Sequence, residues 1–515
     1  MGSRRSSFTV EPPSTTPERE WHPQQLAIFD WFETSFVSGN SRLVKDLIVN
    51  ACAGTGKTTT LIEGVNRAPD QYVLVCAFNK NIADELTART TRENVDAKTL
   101  HSLGYFFIRR EWSRIPVAER GARAEQLTQA VVPANTPLPI RKLINVLHTK
   151  GRDLIPTSYS VKELALLAVE HDLEPDEGWG IYTAEWIAQV AYDAMRYAAE
   201  TPPSYDVGVD FADMMFLPFT WNLLEAMYDL VVVDEMQDMS KPQLQMAQAV
   251  CRGRMAGFGD RRQAIYGFRG ADTDSLDRIK TELQAGELPL TITYRCAQAV
   301  AREAQKLVPA IEAATSNPEG SVSAVDYTAM LTDVSGGNFI LSRLNAPLVT
   351  ITLRLLLMRK KARMRGRDIG AGLVGLIRRL TRNVTSTSIT VLEERLDEWE
   401  RKTTTKLAGA GLRDQADKVR DQAAMVRAFA EDCTSIVSLV QDIEKLFVDT
   451  ADADTVICSS IHKAKGLEAP TVYVLQETLY RRGVTPEEEN LDYVATTRAK
   501  THLRKVYGVP GQERR

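Results

Sequence analysis

Several short segments of the chain are continuous runs of aliphatic residues rather than alternations of apolar and polar positions. Three of them are residues 43–51, 71–78 and 228–235. Continuous Val and Leu runs are typical of strands in a parallel sheet that is covered on both faces. The first run leads into a glycine-rich turn and a threonine-rich helix start, which gives the order strand, loop, helix. These segments predict one α/β core.

A second α/β core is predicted from similar runs at residues 338–345, 455–460 and 471–475. The stretches between the strands of each core carry helical patterns and few strand signals. We therefore expect each core to be interrupted by a mainly helical insertion. The predicted organisation is a disordered tail (1–20), a first core (21–104 and 206–288) with a helical insertion (105–205), and a second core (289–345 and 454–515) with a reduced helical insertion (346–453).

A basic run at residues 358–367 stands near the start of the second insertion. Such a run can bind duplex phosphates with a salt-dependent affinity. It can equally be the solvated face of a helix, and the sequence does not decide between the two.

Composition limits the classes of protein that fit. A length of 515 residues suggests three or four domains at about 150 residues each. No apolar stretch approaches the ~18 residues of a membrane span, and residues 1–20 lack the apolar segment of a secretion signal, so a cytoplasmic protein is expected, or a nuclear one in a eukaryotic host. Because the net charge is only −4, any nucleic-acid binding must come from local sites. The six cysteines show no metal-ligand spacing.

Residues 51–58, ACAGTGKT, form a phosphate-binding loop in which alanine replaces the usual first glycine. Glycines let backbone N–H groups turn towards phosphate oxygens at a helix N-terminus, where the helix dipole favours anions. Lys57 can reach the β- and γ-phosphates, and the Thr58 hydroxyl can bind Mg²⁺. The predicted nucleotide-binding residues of this loop are Ala53, Gly54, Thr55, Gly56, Lys57, Thr58 and Thr59.

Two adjacent acids, Asp234 and Glu235, close the predicted strand at 228–235. A hydrolysing site needs a carboxylate that holds the metal at a strand end, and Asp234 is placed for that role. Glu235 is then the candidate general base that activates the attacking water. Paired acids at a strand end can also be merely solvated or cap the next helix. The phosphate loop favours the catalytic interpretation.

Further motifs follow in an order that resembles the superfamily 1A DNA helicases of the UvrD, Rep and PcrA type. The resemblance runs from residue 21 to about residue 503. The matching segments are 21–25, 76–86, 99–104, 210–215, 234–238, 259–271, 290–295, 460–468 and 487–500. The chain departs from the family pattern at His22, Ser460, Glu489 and Asn490.

The resemblance implies two RecA-like parallel-sheet ATPase cores that enclose one nucleotide. Its implied roles are adenine recognition by Gln25, stacking on adenine by Tyr294, γ-phosphate sensing by Gln237 and Gln263, and ribose binding by Glu468. Arg295 and Arg498 are implied to be arginine fingers supplied from the second core. Outside the motif context, a surface ion pair would be the simpler interpretation of either arginine.

The implied DNA contacts are Phe78, His101, Tyr266, Phe268, Arg269 and His462. Aromatic rings can stack on bases without demanding sequence, at about 1–3 kcal/mol per base. Aromatic residues are otherwise usually core, and isolated histidines are usually structural.

The expected function is an ATP- and Mg²⁺-dependent helicase and translocase that moves 3′ to 5′ on single-stranded DNA and opens duplexes at single/double-strand junctions. The alternative is an ATP-switched binding or loading subunit that does not unwind on its own. No residue distinguishes DNA from RNA as the track.

Overall fold

The fold is built on two parallel β-sheets, one in each half of the chain, with helices on their faces. A computed structural model of the protein describes residues 20–34, 45–77, 80–171, 173, 175, 180–265, 274–382, 388–409, 412–431, 433–448, 452–481 and 483–511. The predicted tail (1–20) lies almost entirely outside this set. No helix among the described residues combines the length and apolar character that crossing a membrane requires.

The described elements of the first core begin with a helix at residue 23. They run to a helix that leads from this core into the insertion. The first elements of the core are α1 (Pro23–Glu33), β1 (Leu47–Ala51), α2 (Lys57–Arg67), β2 (Val73–Cys76), α3 (Lys80–Arg89), β3 (Val95–Lys98) and α4 (Leu100–Glu111). The Thr99 hydroxyl caps α4 by accepting a hydrogen bond from Ser102 N. Since α4 runs on to Glu111, it crosses the predicted domain boundary at residue 104 without a break.

Among the described residues that follow, the regular elements are helices until the chain returns to the first sheet. The insertion contains α5 (Ala122–Val131), α6 (Leu138–Leu154), α7 (Val161–Glu170) and α8 (Ala184–Glu200). The first core then resumes with α9 (Phe211–Thr220), β4 (Tyr228–Val233), α10 (Lys241–Val250), β5 (Cys251–Gly259), α11 (Ser275–Leu283) and β6 (Gly286–Leu290). The six strands are all parallel, in the order β3-β2-β4-β5-β1-β6. Side chains such as Val232 and Val231 fill opposite faces of this sheet.

A buried ionic cluster joins the insertion to α9. Arg152 of α6 donates to both Asp210 and Asp213, and Arg123 of α5 donates to Asp213 at 2.9 Å. Asp213 and Arg152 are completely buried. Burying a charge is costly unless it is paired and hydrogen-bonded, and here each arginine faces a carboxylate. The insertion is therefore anchored on the helix that precedes β4.

The second half of the chain forms the second core. Its elements are β7 (Ile292–Thr293), α12 (Gln298–Gln305), β8 (Glu312–Ala313), β9 (Ser321–Asp326), α13 (Tyr327–Asp333), β10 (Phe339–Ser342), α14 (Ala346–Leu357), β11 (Ala362–Arg365), α15 (Arg367–Leu380), α16 (Ile389–Gly409), α17 (Arg413–Ala430), α18 (Ile436–Leu446), β12 (Phe447–Val448), β13 (Val456–Ser460), β14 (Ala469–Leu475), α19 (Pro486–Thr496) and β15 (Ala499–Tyr507). The sheet order is β12-β11-β13-β10-β14-β15-β9, again all parallel.

The structure corrects the expected extent of the second insertion. Within the predicted mainly helical segment 346–453, β11 and β12 are strands of the second sheet. The basic run at 358–367 is not a helix face either, since β11 lies within it. Ala362 and Met364 point into the core and Arg363 is exposed, which is the alternation of a strand with one face buried. Helices α15 to α18 lie between β11 and β12 in the sequence.

Candidate active site

The phosphate loop joins β1 to α2 in the geometry that its sequence predicts. Gly56 is the N-cap of α2 with φ +77°, and Gly54 has φ +74°. Glycine adopts such left-handed backbone without the steric cost that a Cβ brings. The loop therefore leads into the N-terminus of α2, where free N–H groups and the helix dipole favour an anion.

A segment of the second half of the chain lies directly on this loop. Tyr294 N donates to Gly54 O at 2.9 Å. A Cβ placed on Gly54 would stand 2.5 Å from Arg295 Cβ and 2.6 Å from Thr293 Oγ1. Gly54 is thus required twice, for its backbone conformation and for the approach of the residues that follow β7.

Asp234 and Glu235 follow β4 and face Lys57 of α2. Lys57 Nζ forms an ion pair with Glu235 and lies 3.5 Å from Asp234 Oδ1. Gln237 Nε2 donates to the other Glu235 oxygen at 2.6 Å. Glu235 has φ +53°, a left-handed conformation that costs about 1–3 kcal/mol for a residue other than glycine and is concentrated at functional sites.

The charges of this group are strongly coupled. Burial favours the neutral form of Glu235, but Lys57 and then Lys465 outweigh it and hold its pKa at about 2. Burial would lower the pKa of Lys57, and Glu235 and Asp234 instead raise it. Burial raises the pKa of Asp234, which the nearby Lys57 partly opposes. A cation held between two carboxylates can exchange them for phosphate oxygens when these arrive.

A third acid, Asp260, completes the group, although the motif does not single it out. It follows β5, and β5 lies between β4 and β1 in the sheet, so Asp260 lies between the two predicted halves of the site. Gln263 Nε2 donates to Asp260 Oδ2 at 2.7 Å, and Asp260 N donates to Gln237 Oε1 at 3.1 Å. The two predicted γ-phosphate sensors, Gln237 and Gln263, are thereby linked through Asp260. The sequence signal for Asp260 is its place within the quoted segment 259–271.

Three predicted residues from the second half face the same cleft. Arg295 Nε lies 2.6 Å from Glu468 Oε2, and Lys500 Nζ binds the other Glu468 oxygen at 2.9 Å. Glu468, the predicted ribose ligand, thus holds one of the predicted arginine fingers. Burial would raise the pKa of Glu468, but Lys500 and Arg295 lower it. The Tyr294 side chain is 46% exposed, as a ring that is free to stack on a base would be.

Arg498 is a buried guanidinium without a carboxylate. It is 1% exposed and, among the described residues, donates to Val494 O at 3.0 Å, Leu467 O at 3.2 Å and Thr497 Oγ1 at 3.2 Å. Within the described ranges no acidic oxygen lies within 4.0 Å of it. Burial, and then the positive charge of Arg295, lower the pKa of Arg498 to about 10. A cation kept in this environment fits a site that receives an anion.

Side chains from helix α19 and from the segment between β13 and β14 also contact the first core, at positions for which the sequence predicts no role. Tyr493 is fully buried, and its hydroxyl accepts a hydrogen bond from Ala53 N at 2.9 Å and lies 3.4 Å from Asp260 Oδ2. Lys465 Nζ binds Asp238 at 2.5 Å and the Gln263 carbonyl oxygen at 2.6 Å. These residues lie within the quoted motifs, but residue spacing alone cannot pair side chains more than 200 positions apart.

Gln25 and the threonines of α2 lie at the edge of the phosphate loop. The Gln25 amide is buried, donates to Thr60 Oγ1 at 2.9 Å and accepts from His22 N at 3.1 Å. It also stands 3.9 Å from the position of a Cβ on Gly56. Thr58 and Thr59 are partly exposed in the first turn of α2. The adenine-reading role of Gln25 stays a prediction.

Of the predicted DNA contacts, Phe78, Tyr266, Phe268 and Arg269 lie outside the described residues. The two histidines are described. His101, near the start of α4, is partly exposed and lies 3.3 Å from Asp153 Oδ1. His462 is half-buried, and burial together with the cations Arg343, Lys418 and Lys465 lowers its pKa to about 3, so it is neutral at pH 7. Their contact with DNA stays a prediction.

A phosphate loop, an acidic strand end and two arginines from a second parallel-sheet core, one of them buried, define a nucleotide-dependent protein of the two-core helicase class. Family models agree with this class. The model of the UvrD/REP helicase N-terminal domain matches residues 40–284, and that of the UvrD-like helicase C-terminal domain matches residues 455–506. Together they cover more than half of the chain, which belongs to the UvrD/Rep family of DNA helicases.

Several curated relatives are similar over much of the chain. The F-box DNA helicase protein 1 of Schizosaccharomyces pombe is 24% identical in a 502-position alignment that covers 89% of this chain and 55% of that protein. The F-box DNA helicase 1 of Gallus gallus is 24% identical over 90% of this chain and 48% of its own length. The ATP-dependent DNA helicase PcrA of Leuconostoc citreum is 22% identical over 58% of this chain and 42% of its own. The chain spans about half the length of these relatives.

Among solved structures, that of the arterivirus nonstructural protein 10, a helicase, aligns over 91% of this chain and 61% of its own. The TM-score is 0.34 and the identity 12%, a likeness too weak to support an argument.

Proposed function

We propose that this protein hydrolyses ATP in the cleft between its two cores and uses the cycle to move along single-stranded DNA and separate duplexes. The observation that carries the proposal is Arg498 of the second core, a buried cation that forms no ion pair with a carboxylate among the described residues. Asp260 favours this charge electrostatically but does not pair with it, so an arriving anion would stabilise Arg498 further. The γ-phosphate at the Lys57 loop supplies one, and it does so only when both cores close on the same nucleotide.

The side chains of the first core support a hydrolytic role. Lys57 would leave Glu235 for the phosphates, which removes the cation that lowers the Glu235 pKa and makes the carboxylate a better base. Gln237, which donates to Glu235, would orient it. Asp234 and Thr58 offer the hard oxygen ligands that Mg²⁺ prefers, and bound Mg²⁺ would neutralise charge on the phosphates.

Arg295 and Arg498 would stabilise charge that develops in the transition state. Removing such a group lowers the rate more than the affinity. Because Arg295 is held by Glu468 in this structure, closure requires Arg295 to exchange that carboxylate for the nucleotide. The cycle of closing and reopening would then shift one core relative to the other along the strand.

The proposed direction is 3′ to 5′, with single/double-strand junctions as the substrate. Both polarity classes of superfamily 1 share the phosphate loop and arginine fingers, so direction depends on the DNA-contacting motifs. Support comes from the resemblance of residues 263–271 and 462–468 to the 1A forms of two such motifs. The resemblance to the family also supports DNA rather than RNA as the track.

The test measures ATP hydrolysis with single-stranded DNA, with single-stranded RNA and without nucleic acid. It then offers forked, 3′-tailed and 5′-tailed duplexes at equal concentration with ATP and Mg²⁺. We expect DNA-stimulated hydrolysis and strand release from the 3′-tailed and forked substrates. Release from the 5′-tailed duplex would overturn the direction. Stimulation without any release would favour an ATP-switched loading subunit.

A further inference from the structure

One short turn of the first core forms several hydrogen bonds and an ion pair with residues of the second core. The turn, Arg261–Gln263, follows β5 and carries Gln263, whose amide holds Asp260 at 2.7 Å. Asp260 binds Gln237, and Gln237 binds Glu235. A continuous hydrogen-bonded path therefore connects this turn to the proposed general base.

Two residues of α19 contact the turn directly. Arg262 Nη1 lies 3.1 Å from Glu489 Oε2 and 3.5 Å from Asn490 Oδ1. Asn490 is buried, and its Nδ2 donates to Ala264 O at 3.2 Å. Arg262 Nη2 also donates to Leu307 O at 3.2 Å. Since α19 leads into Arg498, the helix that contacts the turn also carries one of the arginine fingers.

We propose that Arg262, Glu489 and Asn490 are positioning residues that couple closure of the second core to the alignment of Gln263 and Glu235. This inference rests on the proposed ATPase function and adds to it the contact through which α19 acts on the base. The same turn leads directly into residues 266–271, the predicted DNA-contacting stretch.

The Arg262–Glu489 pair suits this role because it contributes little to folding. The two side chains are 37% and 34% exposed, and exposed ion pairs typically stabilise a fold only slightly. Variants at these positions should fold, so their effect on activity can be measured. Reversing the charge of either residue, however, places two like charges opposite each other between the cores, and their repulsion opposes closure.

The neighbouring Arg261 provides a matched control. It belongs to the same turn, but its partners are Asp277 at 2.7 Å and Glu287 at 2.5 Å, both within the first core. Arg261→Gln and Arg262→Gln therefore remove the same group from the same turn, and only the second removes a contact between the cores.

The experiment compares wild type, R262E, E489R, the double variant R262E/E489R, and the two glutamine variants. The readouts are the thermal midpoint, basal kcat, DNA-stimulated kcat and the KM for ATP. We expect each single charge reversal to lower DNA-stimulated kcat by about tenfold, within the range of couplings between contacting residues, with a smaller change in KM. The double variant should recover to within about threefold of wild type, since opposite charges face each other again.

We also expect R262Q to lower the ratio of stimulated to basal kcat and R261Q to leave that ratio unchanged. A double variant as impaired as the singles would overturn the inference, as would equal losses in R261Q and R262Q. If wild type shows no DNA-stimulated hydrolysis, the proposed function itself fails. Normal stimulation in wild type with unaffected variants refutes the coupling alone.

Discussion

Replacing Arg498 with methionine separates a catalytic arginine from a structural one. Methionine keeps an unbranched apolar stem of similar reach but removes the charge. The Arg498 pKa falls from 12.5 to about 10, because burial disfavours the charged form and Arg295 repels it. At about 1.4 kcal/mol per pKa unit, the folded protein carries roughly 3 kcal/mol of unfavourable energy to keep this charge at neutral pH.

The variant also loses three hydrogen bonds, to Val494 O, Leu467 O and Thr497 Oγ1. A hydrogen bond from a charged donor contributes about 1.5–3 kcal/mol, so the relief offsets only part of the loss. We therefore expect a moderate fall in the thermal midpoint of the nucleotide-free protein, of about 2–6 °C. Hydrolysis should fall by about 10³- to 10⁵-fold, the scale of an arginine finger.

Calorimetry without nucleotide measures the predicted thermal midpoint, and a steady-state assay with single-stranded DNA measures the predicted loss of hydrolysis. An arginine that balanced a buried carboxylate would behave differently, because removing one partner of a buried ion pair costs about 3–5 kcal/mol. A drop of about 10 °C in the midpoint, together with near-normal hydrolysis in the residual folded protein, would refute the reasoning. Arg498→Lys serves as a control that keeps a charge but not the fork geometry.

Three other substitutions test separate statements about the site and the fold. Glu235→Gln should leave ATP binding largely intact while turnover falls by two or more orders of magnitude, measured by nucleotide titration and a steady-state assay; ordinary turnover would remove Glu235 from the base role. Phe268→Ala should weaken single-strand binding by about 1–3 kcal/mol in an anisotropy titration, whereas a loss of folding with unchanged DNA affinity would make it a core residue. Burial of His148, together with the charge of Arg152, lowers its pKa from 6.5 to about 3. Because the unfolded chain binds a proton near pH 6.5 and the folded protein does not, the stabilising contribution of this site is present above pH 6.5 and is lost as the pH falls towards 3. His148→Gln should therefore shift acid unfolding, followed by circular dichroism, to lower pH, and an unchanged midpoint would contradict the linkage.

Parts of this fold were readable from the sequence because the strands concerned are buried on both faces. The runs that became β1, β2 and β4 contain consecutive aliphatic residues, since every position of such a strand meets apolar surface. Strand β11 lacked that signal. Its arginines alternate with Ala362 and Met364, and the local charge density suggested a solvated helix instead. β5 was not predicted either, because glycines and Arg254 interrupt its apolar pattern.

For the site, the motifs predicted which residues gather in the cleft but not which of them bind one another. Lys57, Asp234 and Glu235 meet because β1 and β4 end at the same edge of one sheet. The pairing of Lys465 with Asp238 depends instead on how two separately folded cores meet. No local pattern encodes that arrangement. The same applies to Tyr493, whose hydroxyl reaches the phosphate loop across 440 positions.

The two connections between the first core and its helical insertion lie side by side. A Cβ on Gly104 of α4 would overlap the carbonyl of Met214 in α9, so the outgoing and returning helices touch where the insertion begins. An insertion with adjacent ends can in principle be exchanged for another without stretching the host. In this protein, a replacement insertion must also neutralise a buried charge. Asp213 remains with the host helix and is completely buried, so any replacement for α5 to α8 must bring a cation to the positions of Arg123 and Arg152.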